Sequence, residues 1–128
     1  MRQGRLRRRG GRLTREMARQ VARDEAAIRV LELVGRARGV SRSEMLSQRR
    51  CGNEVAAARQ LAMYLVHTLL GRSYLEVAGL FGRDRTTVSY ACARIEDRRE
   101  EKSPFEGEVE TIEIAVMAWR EGTSHAAG

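Results

Sequence analysis

Ser73-Tyr-Leu-Glu-Val-Ala-Gly-Leu-Phe-Gly-Arg-Asp-Arg-Thr-Thr-Val-Ser-Tyr-Ala-Cys-Ala-Arg-Ile-Glu-Asp-Arg-Arg99 is the stretch that decides the fold. Ser73 and Glu76 are spaced as a capping box, in which the serine hydroxyl and the glutamate carboxylate each satisfy a backbone N–H at a helix start. The helix they open carries Leu75, Val77, Ala78 and Leu80, and Phe81-Gly82-Arg83 interrupts it after two turns. Asp84 is then placed to cap a longer helix whose inward positions are Val88, Ala91, Cys92 and Ile95. A short helix, a tight glycine turn and a longer helix make a helix-turn-helix. In that motif the second helix enters the major groove of DNA, and its first residues meet the base edges. Here those residues are Arg83, Asp84, Arg85, Thr86 and Thr87. Arg suits guanine edges, Asp accepts from cytosine N4, and Thr offers a methyl or a hydroxyl. A structural alternative stands beside this one: Asp84 only caps the helix, Thr87 bonds its own backbone and Arg85 is solvated.

Working outward, the same punctuation recurs. Residues from Thr14 onward show a helical pattern, with Met17, Val21, Ile28, Leu31 and Val34 apolar, weakened by Gly35 and stopped by Gly39. Ser41 to Glu44 is a capping box for a short helix carrying Met45 and Leu46. A basic loop follows, and Asn53 is placed to cap a helix whose apolar face is Ala58, Leu61, Ala62, Leu65, Val66 and Leu69, ending at Gly71. Ser103-Pro-Phe-Glu106 is a third capping box with proline at its favoured first position. Val109, Ile112, Val116 and Trp119 then share one face. No long period-two alternation occurs, so the expectation is an all-α domain of about six helices.

The chain has 128 residues, enough for a single core. Aromatics are only 5%, so that core is aliphatic. Basic residues number 24 against 17 acidic, a net charge of +7, and 23 of the 24 are arginine. An arginine excess of this kind also fits a GC-rich genome; the net sign does not follow from that. Charge is unevenly spread: residues 1–23 carry +8, the centre is nearly neutral, and residues 101–128 carry −4. Concentrated positive charge favours polyanions, most often nucleic acid. Residues 1–13 hold Gly4, Gly10 and Gly11 among mutually repelling arginines, which predicts a disordered arm. The arm either adds non-sequence-specific phosphate contacts or lies in a minor groove. The expected organisation is the arm, a helical domain over 14–120, and a flexible tail over 121–128.

Other chemistries lack support. No apolar run approaches a membrane span, and no apolar segment after the basic start makes a secretory signal. Cys51, Cys92, His67 and His125 are not spaced as metal ligands, so no metal or cofactor is expected. No phosphate-loop motif and no nucleophile–base pair or carboxylate cluster stands out, so neither an enzyme nor a small-molecule substrate is expected.

Beyond pattern, the chain resembles a known family. Arg59-Gln-Leu-Ala-Met-Tyr-Leu65, Ser73-Tyr-Leu-Glu-Val-Ala78, Phe81-Gly-Arg-Asp-Arg-Thr-Thr-Val88, Ala91-Cys92 and Arg94-Ile95 resemble the C-terminal DNA-binding domain of the bacterial replication initiator DnaA. The resemblance extends to Gly39-Val40, Glu44-Met-Leu-Ser-Gln-Arg-Arg50 and the Phe105 to Met117 helix. It implies a compact helical domain that binds a short double-stranded DNA box. It implies that Arg59 enters the minor groove and that Arg49 and Arg50 grip phosphate. Ser73, Tyr74 and Leu75 would touch the DNA backbone, and Arg83, Asp84, Thr86 and Thr87 would form the recognition segment. Two departures stand out: one glycine, Gly82, precedes Arg83 where the family has two, and Arg85 replaces a histidine. With no nucleotide-binding motif, the expectation is this domain standing alone. It would act in the cytoplasm, on the nucleoid, in control of replication initiation or transcription. A nucleoid-associated architectural protein binding mainly by charge is the alternative. Trp119 on the acidic last helix offers a possible dock for a protein partner.

Overall fold

The computed structural model describes residues 24–48, 52–101 and 103–127. Among them are six α-helices and no strand: α1 (Glu25–Arg38), α2 (Arg42–Leu46), α3 (Asn53–Leu70), α4 (Tyr74–Phe81), α5 (Arg85–Glu100) and α6 (Pro104–Ala127). The all-α architecture expected from the sequence is the one observed. Its centre is α3, which buries Ala58, Leu61, Ala62, Met63, Tyr64, Leu65, Val66 and Leu70. A helix buried on nearly all sides needs partners all round. Helix α1 brings Ala27, Val30, Leu31 and Val34 to it, and α5 brings Val88, Ala91, Cys92 and Ile95. Helix α4 contributes Val77, Ala78 and Phe81. Phe105, Val109, Ile112 and Val116 of α6 complete a core that is aliphatic, as the composition requires.

The caps explain where each helix begins. Ser41 and Ser73 form the two expected capping boxes, with reciprocal bonds to Glu44 and Glu76. Asp84 caps α5 by accepting from the Thr87 backbone N–H at 2.9 Å. Other starts differ from the sequence reading. Helix α1 begins at Glu25, where the Asp24 carboxylate caps it by accepting from the Ala27 N–H; the helical pattern read over residues 14–23 and the 1–13 arm lie outside the described residues. Gly52, not Asn53, is the cap residue of α3, and Asn53 is its first helical residue. The third box does not close: Glu106 turns its carboxylate to Arg99 (2.7 and 2.8 Å) while the Ser103 hydroxyl accepts from the Phe105 N–H. Helix α6 runs past Gly122 to Ala127, into the stretch read as a tail, because each further residue adds one backbone bond to an existing helix.

Two glycines serve purposes that composition does not reveal. Gly35 sits in the last turns of α1, and a Cβ there would come within 2.3 Å of the Val40 carbonyl oxygen. The chain folds back across it, with the Val40 N–H donating to the Gly35 carbonyl at 3.0 Å. Gly82 ends α4 with φ +65°, the left-handed region where other residues are strained.

Asp24 also ties the start of α1 to the turn after α3. Arg72 Nη2 donates to Asp24 Oδ1 at 2.9 Å, and Nε pairs with Oδ2. The Arg72 hydrogen bond holds the Asp24 carboxyl below the usual carboxylate range. A carboxylate with a depressed folded pKa adds stability above its unfolded value, near pH 4, and loses it as pH falls through the folded value. Asp24→Asn keeps a good capping residue but removes the charge. We expect it to lower the melting temperature at neutral pH, and to narrow its difference from wild type below about pH 4. Melting curves of both proteins across pH 2–7 check this; parallel curves would mean that the pair contributes no pH dependence.

Candidate nucleic-acid interface

The first turn of α5 emerges from the core. Asp84, Arg85, Thr86 and Thr87 are exposed, while Val88, the next residue, is fully buried. Burial of Val88, Ala91 and Ile95 against the rest of the domain fixes the helix. Its N-terminal turn therefore projects, with unsatisfied N–H groups and the positive end of the helix dipole outward. The capping role of Asp84 is seen directly in this segment. Asp84 Oδ1 accepts from Thr87 N–H at 2.9 Å and from Thr87 Oγ1 at 3.1 Å, so it caps the helix. Those bonds, the backbone one foremost, hold its carboxyl below the usual range, which keeps it an ionised acceptor at neutral pH.

Arg83 is placed differently. Its Nη1 donates to the Phe81 carbonyl at 2.9 Å and its Nη2 to the Ser47 carbonyl at 3.1 Å. The guanidinium thus ties the helix-turn-helix turn to the end of α2 rather than extending from it. Gln48 does the same from the other side, with Nε2 3.1 Å from the Phe81 carbonyl and its amide packed over Gly82. Arg49 and Arg50 lie outside the described residues, but Ser47 and Gln48, which immediately precede them, are bound to the turn. The end of α2 and the recognition turn are therefore bound to each other.

Arg59 is also enclosed. It is 8% exposed, and its Nε donates to the Met45 carbonyl at 2.7 Å and its Nη2 to the Glu44 carbonyl at 3.4 Å. Those carbonyls end α2, a five-residue helix. A cation there satisfies orphan acceptors at the negative end of the helix dipole. Sequence reasoning from the resemblance gave Arg59 a groove; the structure shows it holding the end of α2.

Ser73 and Tyr74 are exposed at the start of α4, and Leu75 is half-buried. The Tyr74 ring packs on His67, centroids 4.4 Å apart, and the His67 Nδ1 lies 2.8 Å from the Arg72 carbonyl. These contacts hold the 72–74 turn against the end of α3. Beyond the first turn of α5, Tyr90 is 59% exposed, and Arg94 lies over its ring at 5.8 Å. Tyr90 follows Thr87 by three residues and so shares its face. It was overlooked because it falls outside the motif, although helical spacing from Thr87 would have found it. Gln48 had no such signal, since its role depends on α2 meeting α4.

Among the described residues no cluster of three or more His, Cys, Asp or Glu side chains could hold a metal, and no helix is long and apolar enough to cross a membrane. Cys92 is buried, and burial pushes its thiol up to about 11, far from a reactive thiolate.

Comparison with known proteins fits this geometry. Residues 28–95 match the family described as bacterial dnaA protein helix-turn-helix. Curated relatives named chromosomal replication initiator protein DnaA include those of Rhodopseudomonas palustris strain TIE-1 and Nitrobacter hamburgensis, each 43% identical over 84 residues. That of R. palustris strain HaA2 is 42% identical over the same length. In each case the match covers 65% of this chain and 18% of the relative, so the chain spans under a fifth of their length. The matched region begins in α1 and covers α4, the capped turn and α5 as far as Ile95: the chain belongs to the bacterial DnaA helix-turn-helix family.

Proposed function

We propose that the chain is a sequence-specific double-stranded DNA-binding protein that acts on the nucleoid, in control of replication initiation or of transcription. The observation that carries this reading is the projecting first turn of α5, where Asp84, Arg85, Thr86 and Thr87 are exposed directly above a fully buried Val88. A helix anchored by its own core and bare at its N-terminal turn is built to enter a major groove. In this reading Asp84, Arg85 and Thr86 meet base edges, and Thr87 meets a base or a phosphate. Ser73, Tyr74 and Leu75 approach the DNA backbone at the start of α4. Arg49 and Arg50, which follow the end of α2, contact phosphate. Arg59 approaches the minor groove, as the family resemblance implies.

Specificity is expected to depart from the family box under Arg85. An arginine presents parallel donors suited to guanine O6 and N7, where a histidine presents one. Arg85 is the first residue of α5 and exposed, and no partner among the described residues fixes its guanidinium. Site selection from random duplexes, on wild type and on Arg85→His side by side, tests the reading. Wild type should return a defined site with a guanine under Arg85. The variant should lose that guanine and bind the wild-type site more weakly by about 1–3 kcal/mol. No enriched site for wild type, with affinity set only by salt, would favour an architectural binder instead.

A further inference from the structure

The last helix carries an apolar surface that its own packing leaves open. Helix α6 buries Phe105, Val109, Ile112 and Val116, yet Ile114 is 69% exposed and Met117 43%. Both line a groove of about 530 Å³ together with Leu69, Ala118, Glu113 and Glu121. Trp119, the residue singled out from sequence, is half-buried and lies outside this lining. Clustered large aliphatic side chains with a charged rim mark a contact surface.

Three observations indicate what covers it. The first is where the described chain begins. Asp24 is paired with Arg72, whose Nη1 donates to the Leu70 carbonyl at 2.8 Å, and Arg120 of α6 donates to the Leu69 carbonyl at 3.1 Å. The described chain therefore begins, at Asp24, near the wall that Leu69 gives the groove. The second is a stripe without a place in α1. Leu13, Met17 and Val21 recur every four residues, but Asp24 caps α1 in an extended conformation, so the buried face of α1 does not continue through them. The third is charge. Arg12, Arg15, Arg19 and Arg23, against the single Glu16, accompany that stripe, and the groove edge carries exposed Glu121, with exposed Glu110 earlier on the same helix; Glu113, which also lines the groove, is already paired with Arg99. Lengths also agree: residues 13–23 as a helix would span about 16 Å, and α6 from Glu113 to Glu121 about 12 Å.

We propose that residues 13–23 dock in this groove as an amphipathic segment. Leu13, Met17 and Val21 cover Ile114 and Met117, while the arginines face Glu121 and Glu110. The docking directs Arg15, Arg19 and Arg23 to the acidic helix and leaves the DNA-facing charge of the arm to Arg2 through Arg12. It stands independently of the DNA-binding reading.

Hydrogen exchange followed by mass spectrometry on the full chain tests it. Amides of residues 13–23 should exchange at least about tenfold more slowly in wild type than in Ile114→Ser/Met117→Ser. Those two side chains are exposed in the described fold, so protection of α1 to α5 should be unchanged. Met17→Ser/Val21→Ser, which alters no described residue, should in turn shift the methyl resonances of Ile114 and Met117. Equal exchange of residues 13–23 in wild type and the groove variant overturns the proposal, as do unmoved methyl resonances. A concentration-dependent dimer that the groove variant abolishes, with exchange of residues 13–23 unaltered, would also overturn it and assign the groove to a second copy.

Discussion

Arg59→Ala should destabilise the domain by about 2–4 kcal/mol as well as weaken DNA binding. The side chain is 8% exposed and donates to the Met45 and Glu44 carbonyls at the end of α2. Truncation leaves the Met45 carbonyl without its Arg59 donor, leaves the Glu44 carbonyl only the Ser47 N–H, and opens a void beneath a five-residue helix, too short to persist without tertiary support. An unsatisfied buried acceptor costs roughly 1–3 kcal/mol, and lost packing adds to that. The end of α2, from which the basic loop departs, should then lose its fixed position relative to α5, so DNA affinity falls even at temperatures where the domain remains folded. Arg59→Lys separates the two contributions. A lysine keeps the charge but lacks the planar fork that reaches two carbonyls. It should retain part of the affinity and little of the stability. Chemical denaturation and fluorescence anisotropy on the same samples make the comparison. Loss of affinity with wild-type stability in Arg59→Ala would show that the side chain acts in the groove alone.

Arg99→Ala should release α6, at a cost of about 2–3 kcal/mol. Arg99 is the hub between the end of α5 and the last helix. Its Nε and Nη2 donate to the two carboxylate oxygens of Glu106 at 2.7 and 2.8 Å. Its Nη1 donates to Glu113 Oε2 at 2.7 Å and to the Tyr64 hydroxyl at 3.1 Å. Planar, bidentate pairing of this kind is the strong form of ion pair, and the guanidinium is only 19% exposed. The Glu106 bonds foremost, then those of Glu113, hold the Arg99 guanidinium far above its ordinary pKa, so it stays charged at any accessible pH. Conversely, the Arg99 hydrogen bond holds Glu106 below the usual carboxylate range, so this contribution is present at neutral pH and lost in acid. Amide exchange should show α6 opening ahead of α3 and α5 in the variant, since its remaining anchors are Phe105, Val109, Ile112 and Val116. DNA affinity should change little, because the first turn of α5 lies at the opposite end of that helix. Unaltered exchange in α6 would show that apolar packing alone holds it.

Much of the fold was legible because its punctuation is local. Ser41 with Glu44 and Ser73 with Glu76 state a helix start within four residues, and both form as written. Gly39, Gly71 and Gly82 state helix ends, and all three have positive φ. Where the reading slipped, a distant partner competed for a local one. Glu106 is spaced to cap its own helix, but Arg99 offers two donors and a full charge, so the carboxylate turns to α5. Asp24 has no preceding punctuation in the sequence, and it starts α1 while Arg72, 48 residues away, holds its carboxylate.

The candidate site divides in the same way. The sequence by itself determined the helix-turn-helix, the aliphatic core beneath it and the polar first turn of α5, because each depends on residue type at short spacing. That Asp84, Arg85, Thr86 and Thr87 project follows from Val88 being the first buried position. Only the tertiary structure decided what the arginines do. An arginine reads alike in sequence whether it meets a base, a phosphate or a carbonyl, because all three are acceptors for the same fork. Arg83 meets the Phe81 and Ser47 carbonyls because α2 ends against the turn after α4. Arg59 meets the Glu44 and Met45 carbonyls because α3 passes beneath the end of α2. Arg85, the first residue of α5, is exposed and has no carbonyl placed to receive it among the described residues, so its guanidinium stays at the surface of that turn.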